Sequence, residues 1–126
     1  MKYFLFLLFF VPTFSFATEI YHCESLKGWE YFLEENNDTP KKIEPYNKNG
    51  CTYVINENKM TIICDGVTSD PCVVFNNSYE KVEAICVALA VTELYTFSKK
   101  EKKLFFVKNG VIGGKGYSMM MSGNCK

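Results

Sequence analysis

Cys51-Thr52-Tyr53-Val54-Ile55-Asn56-Glu57-Asn58-Lys59-Met60-Thr61-Ile62-Ile63-Cys64 sets two runs rich in β-branched and aromatic residues on either side of a polar turn. Such residues favour strands, and Asn is a frequent turn former. Folded back on itself about residues 56–59, the stretch places Ile55 opposite Met60, Tyr53 opposite Ile62 and Cys51 opposite Cys64. Side chains alternate between the faces of a strand, so these six residues share one apolar face. Directly opposed residues have Cβ atoms ~4.5–5.5 Å apart, close to the ~3.5–4.5 Å that a disulfide needs. The register therefore predicts a Cys51–Cys64 bridge across the hairpin.

A second stretch repeats the pattern. Val91-Thr92-Glu93-Leu94-Tyr95-Thr96-Phe97-Ser98 leads into a lysine-rich tip, and Lys103-Leu104-Phe105-Phe106-Val107-Lys108 returns. Pairing Ser98 with Lys103 sets Phe97 opposite Leu104, Tyr95 opposite Phe106 and Glu93 opposite Lys108. Two apolar pairs and one charge pair agree on a single register. Asn109-Gly110 is read as the next turn. Gly113, Gly114 and Gly116 then loosen the chain before a final strand from Tyr117 to Cys125.

Nearer the start, Glu19–Cys23 and Trp29–Leu33 read as strands parted by Lys27-Gly28, and residues 34–50 as a long polar loop rich in Asn, Pro and acid. From Asn77 to Val91 the small residues Ala84, Cys86, Ala88 and Ala90 alternate with Ile85, Val87, Leu89 and Val91. That period of two predicts a strand packed on both faces. Asn77 followed by Glu80 has the spacing of a helix capping box, so a helix over 78–91 is the alternative. The fold expected is mainly β, a small antiparallel barrel or sandwich of lipocalin-like shape stapled by disulfides. The alternative is an α+β fold.

Residues 1–17 carry a basic start, an apolar run from Tyr3 to Val11 and a Ser15-Phe16-Ala17 end. These mark a cleaved export signal, and the run is too short to cross a bilayer of about 30 Å. Residues 18–126 are then a single mature domain of 109 residues, delivered to the periplasm or secreted. All six cysteines follow the signal and reach an oxidising compartment, where each bridge adds ~2–4 kcal/mol. With Cys51–Cys64 set, Cys23–Cys125 would tie the ends and Cys72–Cys86 would remain. The mature chain, formally −1, has no arginine. Near-neutrality gives no reason to expect a nucleic acid, and guanidinium clamps for phosphate are not on offer. A membrane span is not expected either.

Few residues suggest chemistry. His22, the sole histidine, lies beside Cys23 and reads as a surface residue of a strand, since an oxidised cysteine is no nucleophile. No C-x-x-C spacing points to a metal. Asp65, Ser69 and Asp70 lie between Cys64 and Cys72 without the order of a Ca²⁺-binding EF-hand. Gly113-Gly114-Lys115-Gly116-Tyr117-Ser118 lacks the order of a phosphate loop. Catalytic residues, metal ligands and cofactors are therefore not assigned.

What remains points to binding. The hairpin register opposes Tyr95 to Phe106 beside Phe97, alternation sends Met119 and Met121 to one face of the last strand, and methionine adapts to irregular apolar ligands. These five residues are the expected site for a small apolar or amphipathic ligand. The alternative partner is a cell-envelope protein. Tyr21-His22-Cys23 near the mature start and Cys125 at the end resemble, in placement, the small periplasmic lysozyme inhibitors, which are β-barrels. The resemblance implies a role in binding a cell-wall hydrolase through an acidic protruding loop. Glu34, Glu35 and Asp38 are the residues nearest to such a loop. That family's central Ser-Gly-x-x-Tyr pattern is not matched: Met121-Ser122-Gly123-Asn124 carries no such tyrosine.

Overall fold

Eleven strands run through the residues described by the computed structural model, 17–33, 41–43 and 49–126. They are β1 (Glu19–Cys23), β2 (Lys27–Phe32), β3 (Lys41–Ile43), β4 (Cys51–Asn56), β5 (Lys59–Cys64), β6 (Val67–Thr68), β7 (Cys72–Asn77), β8 (Lys81–Ala88), β9 (Val91–Ser98), β10 (Lys103–Ile112) and β11 (Lys115–Asn124). All pairings are antiparallel, in the order β1-β4-β5-β7-β8-β9-β10-β11-β2-β3, with the short β6 added to β5. No helix occurs among the described residues, so the α+β alternative is set aside.

Both hairpins take the register expected from their apolar pairs. Ile55 faces Met60, Tyr53 faces Ile62 and Cys51 faces Cys64 in one. Phe97 faces Leu104, Tyr95 faces Phe106 and Glu93 faces Lys108 in the other. Residues 81–88 are a strand because the small Ala84 fits under the curved sheet while Val82 fills the space beside it, both fully buried. The expected capping box is replaced by a turn in which the Ser78 hydroxyl receives the Lys81 N–H.

Three boundaries differ from the sequence reading. Asn109-Gly110 is not a turn: β10 continues to Ile112. The turn falls at Gly113-Gly114, whose φ values of 60° and 77° suit the two central positions of a type I′ hairpin. Lys27 and Gly28 belong to β2, and Glu24–Leu26 form the break before it. A side chain at Gly28 would strike the carbonyl of Met120 on β11, so glycine permits that close approach. Part of the loop foreseen over 34–50 is strand: Lys41–Ile43 pairs with β2. Three residues at a sheet edge are too few to show a period. Residues 34–40 and 44–48, with Glu34, Glu35 and Asp38, lie outside the described residues, as do residues 1–16.

The sheet curls into a half-barrel, and its first and last segments meet. His22 N–H donates to the Lys126 carbonyl and Lys126 N–H to that of His22, at 3.2 and 2.8 Å, and Glu24 N–H donates to Asn124 at 2.9 Å. The Cys23–Cys125 disulfide lies within this seam. Cys51–Cys64, the pair that the hairpin register opposes, and Cys72–Cys86 are the other two bridges. The concave side buries Phe97, Ile55, Met60, Leu104 and Val82 almost completely. An aromatic column runs through it, Tyr21 on Phe97 at 5.0 Å, Phe97 on Tyr53 at 5.1 Å, Tyr53 on Tyr95 at 5.8 Å and Tyr95 on Phe106 at 4.8 Å.

The lysine tip is partly tied down. Lys99 Nζ lies 3.2 Å from Glu19 on β1 and donates to Asn77 at 2.9 Å. Burial works against the charge on Glu19, but hydrogen bonds from Tyr21, Asn77 and Lys99 outweigh it, so its carboxyl titrates below its ordinary value. A depressed carboxyl pKa stabilises the fold above the unfolded value of about 4.3, and that stability is lost as pH falls through the folded value. The melting temperature of the native protein is therefore expected to drop more steeply below pH ~4 than that of Glu19→Gln, the two curves converging in strong acid. Parallel curves through that window would show that Glu19 makes no such contribution.

Candidate functional site

Alternation along β9, β10 and β11 points Tyr95, Phe106, Met119 and Met121 to the concave side, where they wall a cavity of about 80 Å³. Tyr53 and Ile62 from the β4–β5 hairpin, with its Cys51–Cys64 bridge, form the opposite wall. Leu26, in the break between β1 and β2, covers one side. Four of the five residues expected to hold a ligand are thus brought together. Phe97 is not among them: it sits further along the aromatic column and lines a separate hollow with Ile20, Tyr21 and lysines 99, 102, 103 and 126.

The mouth of the cavity is polar. Glu93 Oε1 accepts an ion pair from Lys108 Nζ at 3.0 Å, and its Oε2 accepts the Tyr95 hydroxyl at 2.9 Å. Both charged side chains are about three-quarters covered, 25 and 24 % exposed, so they are held in place rather than freely solvated. Glu24 and Ser25 complete the rim. Behind it, the Tyr53 phenol is pushed up to about 12, first by burial and then by the nearby negative charge of Glu93. It stays a neutral hydroxyl throughout the physiological range.

No protein-family model matches the chain, and neither a curated protein nor a solved structure matches it. The chemistry of the site is therefore read from its own residues. An apolar chamber with a carboxylate, an ammonium and a phenol at its entrance can desolvate a small apolar group and hold a polar one outside. A cavity of about 150 Å³ lined by aliphatic and aromatic side chains accommodates benzene, so about 80 Å³ admits the end of an alkyl chain and not a whole lipid.

The other residues considered from sequence lie elsewhere. His22 is exposed on the outer face of β1, its Nδ1 3.0 Å from the Thr52 hydroxyl. Its neighbour Cys23 is oxidised, as are the other five cysteines. Ser69 receives the Ile62 N–H, and Asp65 accepts from Asn49, so the Cys64–Cys72 segment uses its oxygens to fix turns around β6. Among the described residues no cluster of three or more His, Cys, Asp and Glu is placed to hold a metal. The Glu93–Lys108 pair was visible in sequence as a register match. Its place at the cavity mouth depends on the curling of the sheet, which no local pattern encodes.

Proposed function

We propose that the protein is a small exported binding protein, without catalytic activity of its own, that takes the apolar end of an amphipathic ligand into the cavity walled by Tyr95, Phe106, Met119 and Met121. The observation that carries this reading is the pairing of an apolar chamber with a fixed polar mouth, Glu93, Lys108 and the Tyr95 hydroxyl. The ligand's head group lies at that mouth and its tail tip beside the two methionines. Three disulfides, which persist in oxidising compartments, support export to the periplasm or beyond.

Titration with straight-chain alcohols and carboxylates of increasing length is expected to give saturable one-to-one binding. Each added methylene should strengthen binding by up to about 0.8 kcal/mol until the cavity is filled, after which affinity levels off. Met119→Trp, which fills the chamber, should weaken binding by at least about tenfold without altering the β-sheet circular dichroism. Affinity that keeps rising with chain length, or that ignores Met119→Trp, would place the ligand elsewhere on the molecule.

A further inference from the structure

The convex side of the sheet carries a continuous apolar row. Following the strand registers, Trp29 on β2 pairs with Met120 on β11, Met120 with Val107 on β10, Val107 with Leu94 on β9, Leu94 with Ile85 on β8 and Ile85 with Val73 on β7. Their neighbours along each strand point inward, so all six point outward. Adjacent strands lie ~4.8 Å apart, which makes the row about 24 Å long. Trp29, Met120 and Val73 remain 56, 63 and 55 % exposed. A sheet with one solvated face ordinarily alternates apolar inside with polar outside. Here the alternation fails at the same level on six adjacent strands, unlike scattered surface apolar residues. Phe105, Val87 and Phe75, also exposed, widen the strip.

Charge frames it. Lys42 on β3 stands beside Trp29 at one end, and Lys59 on β5 beside Val73 at the other. Among the described strand residues, Lys27, Lys81 and Lys103 lie on the same side, with Glu83, paired with Lys81 at 3.0 Å, as the acid. Among the described strand residues this face therefore carries more lysines than acids. Complementarity in both apolarity and charge calls for a partner that is acidic and carries apolar side chains among its carboxylates.

We propose that this strip is the docking face for an acidic protein partner, independent of the cavity on the concave side. Curvature favours a protein over a lipid surface, because a row wrapped over six strands of a curled sheet cannot lie flat on a bilayer. The strip is also far shorter along the strands than the apolar band, about 25 Å tall, of a barrel that crosses a membrane. A second copy is disfavoured by symmetry. A two-fold axis lays the same patch on itself and would set lysines against lysines. The same cationic border disfavours a basic enzyme such as a cationic lysozyme at this face.

Trp29 is the protein's one tryptophan and reports on the strip directly. The disulfide-bonded mature chain is titrated with a random copolymer of glutamate and leucine, with poly-glutamate as the purely acidic control. The copolymer is expected to shift Trp29 emission to shorter wavelength, saturably, and to bind at least about tenfold more tightly than poly-glutamate at equal salt. Leu94→Glu should weaken copolymer binding by about tenfold. Lys42→Glu combined with Lys59→Glu, at exposed positions that do not threaten the fold, should do the same. The proposal is overturned by equal binding of the two polymers, or by binding that neither variant reduces. It is equally overturned by an emission shift that only phosphatidylglycerol vesicles produce, or by sedimentation of a dimer that Leu94→Glu dissociates.

Discussion

Replacing Cys23 and Cys125 together by alanine is expected to cost about 4–5 kcal/mol of unfolding free energy. The bridge spans 102 residues, and restraint of the unfolded chain grows with the length of loop closed. The pairs Cys51–Cys64 and Cys72–Cys86 span 13 and 14 residues, for which the same relation gives about 3 kcal/mol each. The long bridge also sits in the seam where β1 meets the chain end, beside the hydrogen bonds of His22, Glu24 and Lys126. Losing it therefore loosens the closure of the sheet as well as the unfolded-state restraint. Domains of this size are stable by about 5–15 kcal/mol, so the double variant should be marginal near 37 °C. Urea unfolding of the three paired-alanine variants checks this ranking. A loss of less than ~2 kcal/mol for Cys23/Cys125, or a greater loss for either short bridge, would contradict the role given to the seam.

The second large effect is at the centre of the aromatic column. Phe97 is 1 % exposed and lies between Tyr21 and Tyr53, both within 5.1 Å ring to ring. Phe97→Ala removes a ring from rigidly packed surroundings that cannot collapse fully, a change that costs about 3–5 kcal/mol in well-packed cores. Phe105→Ala, one level along β10 on the convex face, is the contrasting case: Phe105 is 44 % exposed and should change stability by less than about 1 kcal/mol. Near-equal losses in thermal or chemical unfolding would mean that the two faces of the sheet are not distinguished as described.

The hairpins were legible because each register is written twice, once in apolar pairs and once in a cysteine or charge pair. Cys51 with Cys64, and Glu93 with Lys108, lock the alignment that Tyr53–Ile62 and Tyr95–Phe106 propose. The misread turn has a physical cause. Asn109-Gly110 suits a turn locally, but Gly113-Gly114 supplies two positive-φ positions and lets β10 run ten residues against β11. Alternation identified Tyr95, Phe106, Met119 and Met121 by their face. Alternation does not tell the level along a strand, and Phe97, on the same face one step along β9, lines a different hollow. The pairing of β11 with β2 was hidden, since it joins residues about ninety positions apart, and with it the row from Trp29 to Val73. The only local trace of that row was the run 84–91, apolar on both faces.

The five methionines allow the central claim to be tested in one experiment. Met119 and Met121 wall the cavity, Met60 is in the sealed core, Met120 belongs to the convex row, and Met1 lies outside the described residues. Methionine-methyl NMR of the ¹³C-labelled protein, titrated with a medium-length alkyl carboxylate, separates these surroundings. The account predicts saturable shifts of the Met119 and Met121 methyls, with Met60 and Met120 unmoved. Shifts confined to Met120, or none at saturating ligand, would contradict a binding site inside the curled sheet.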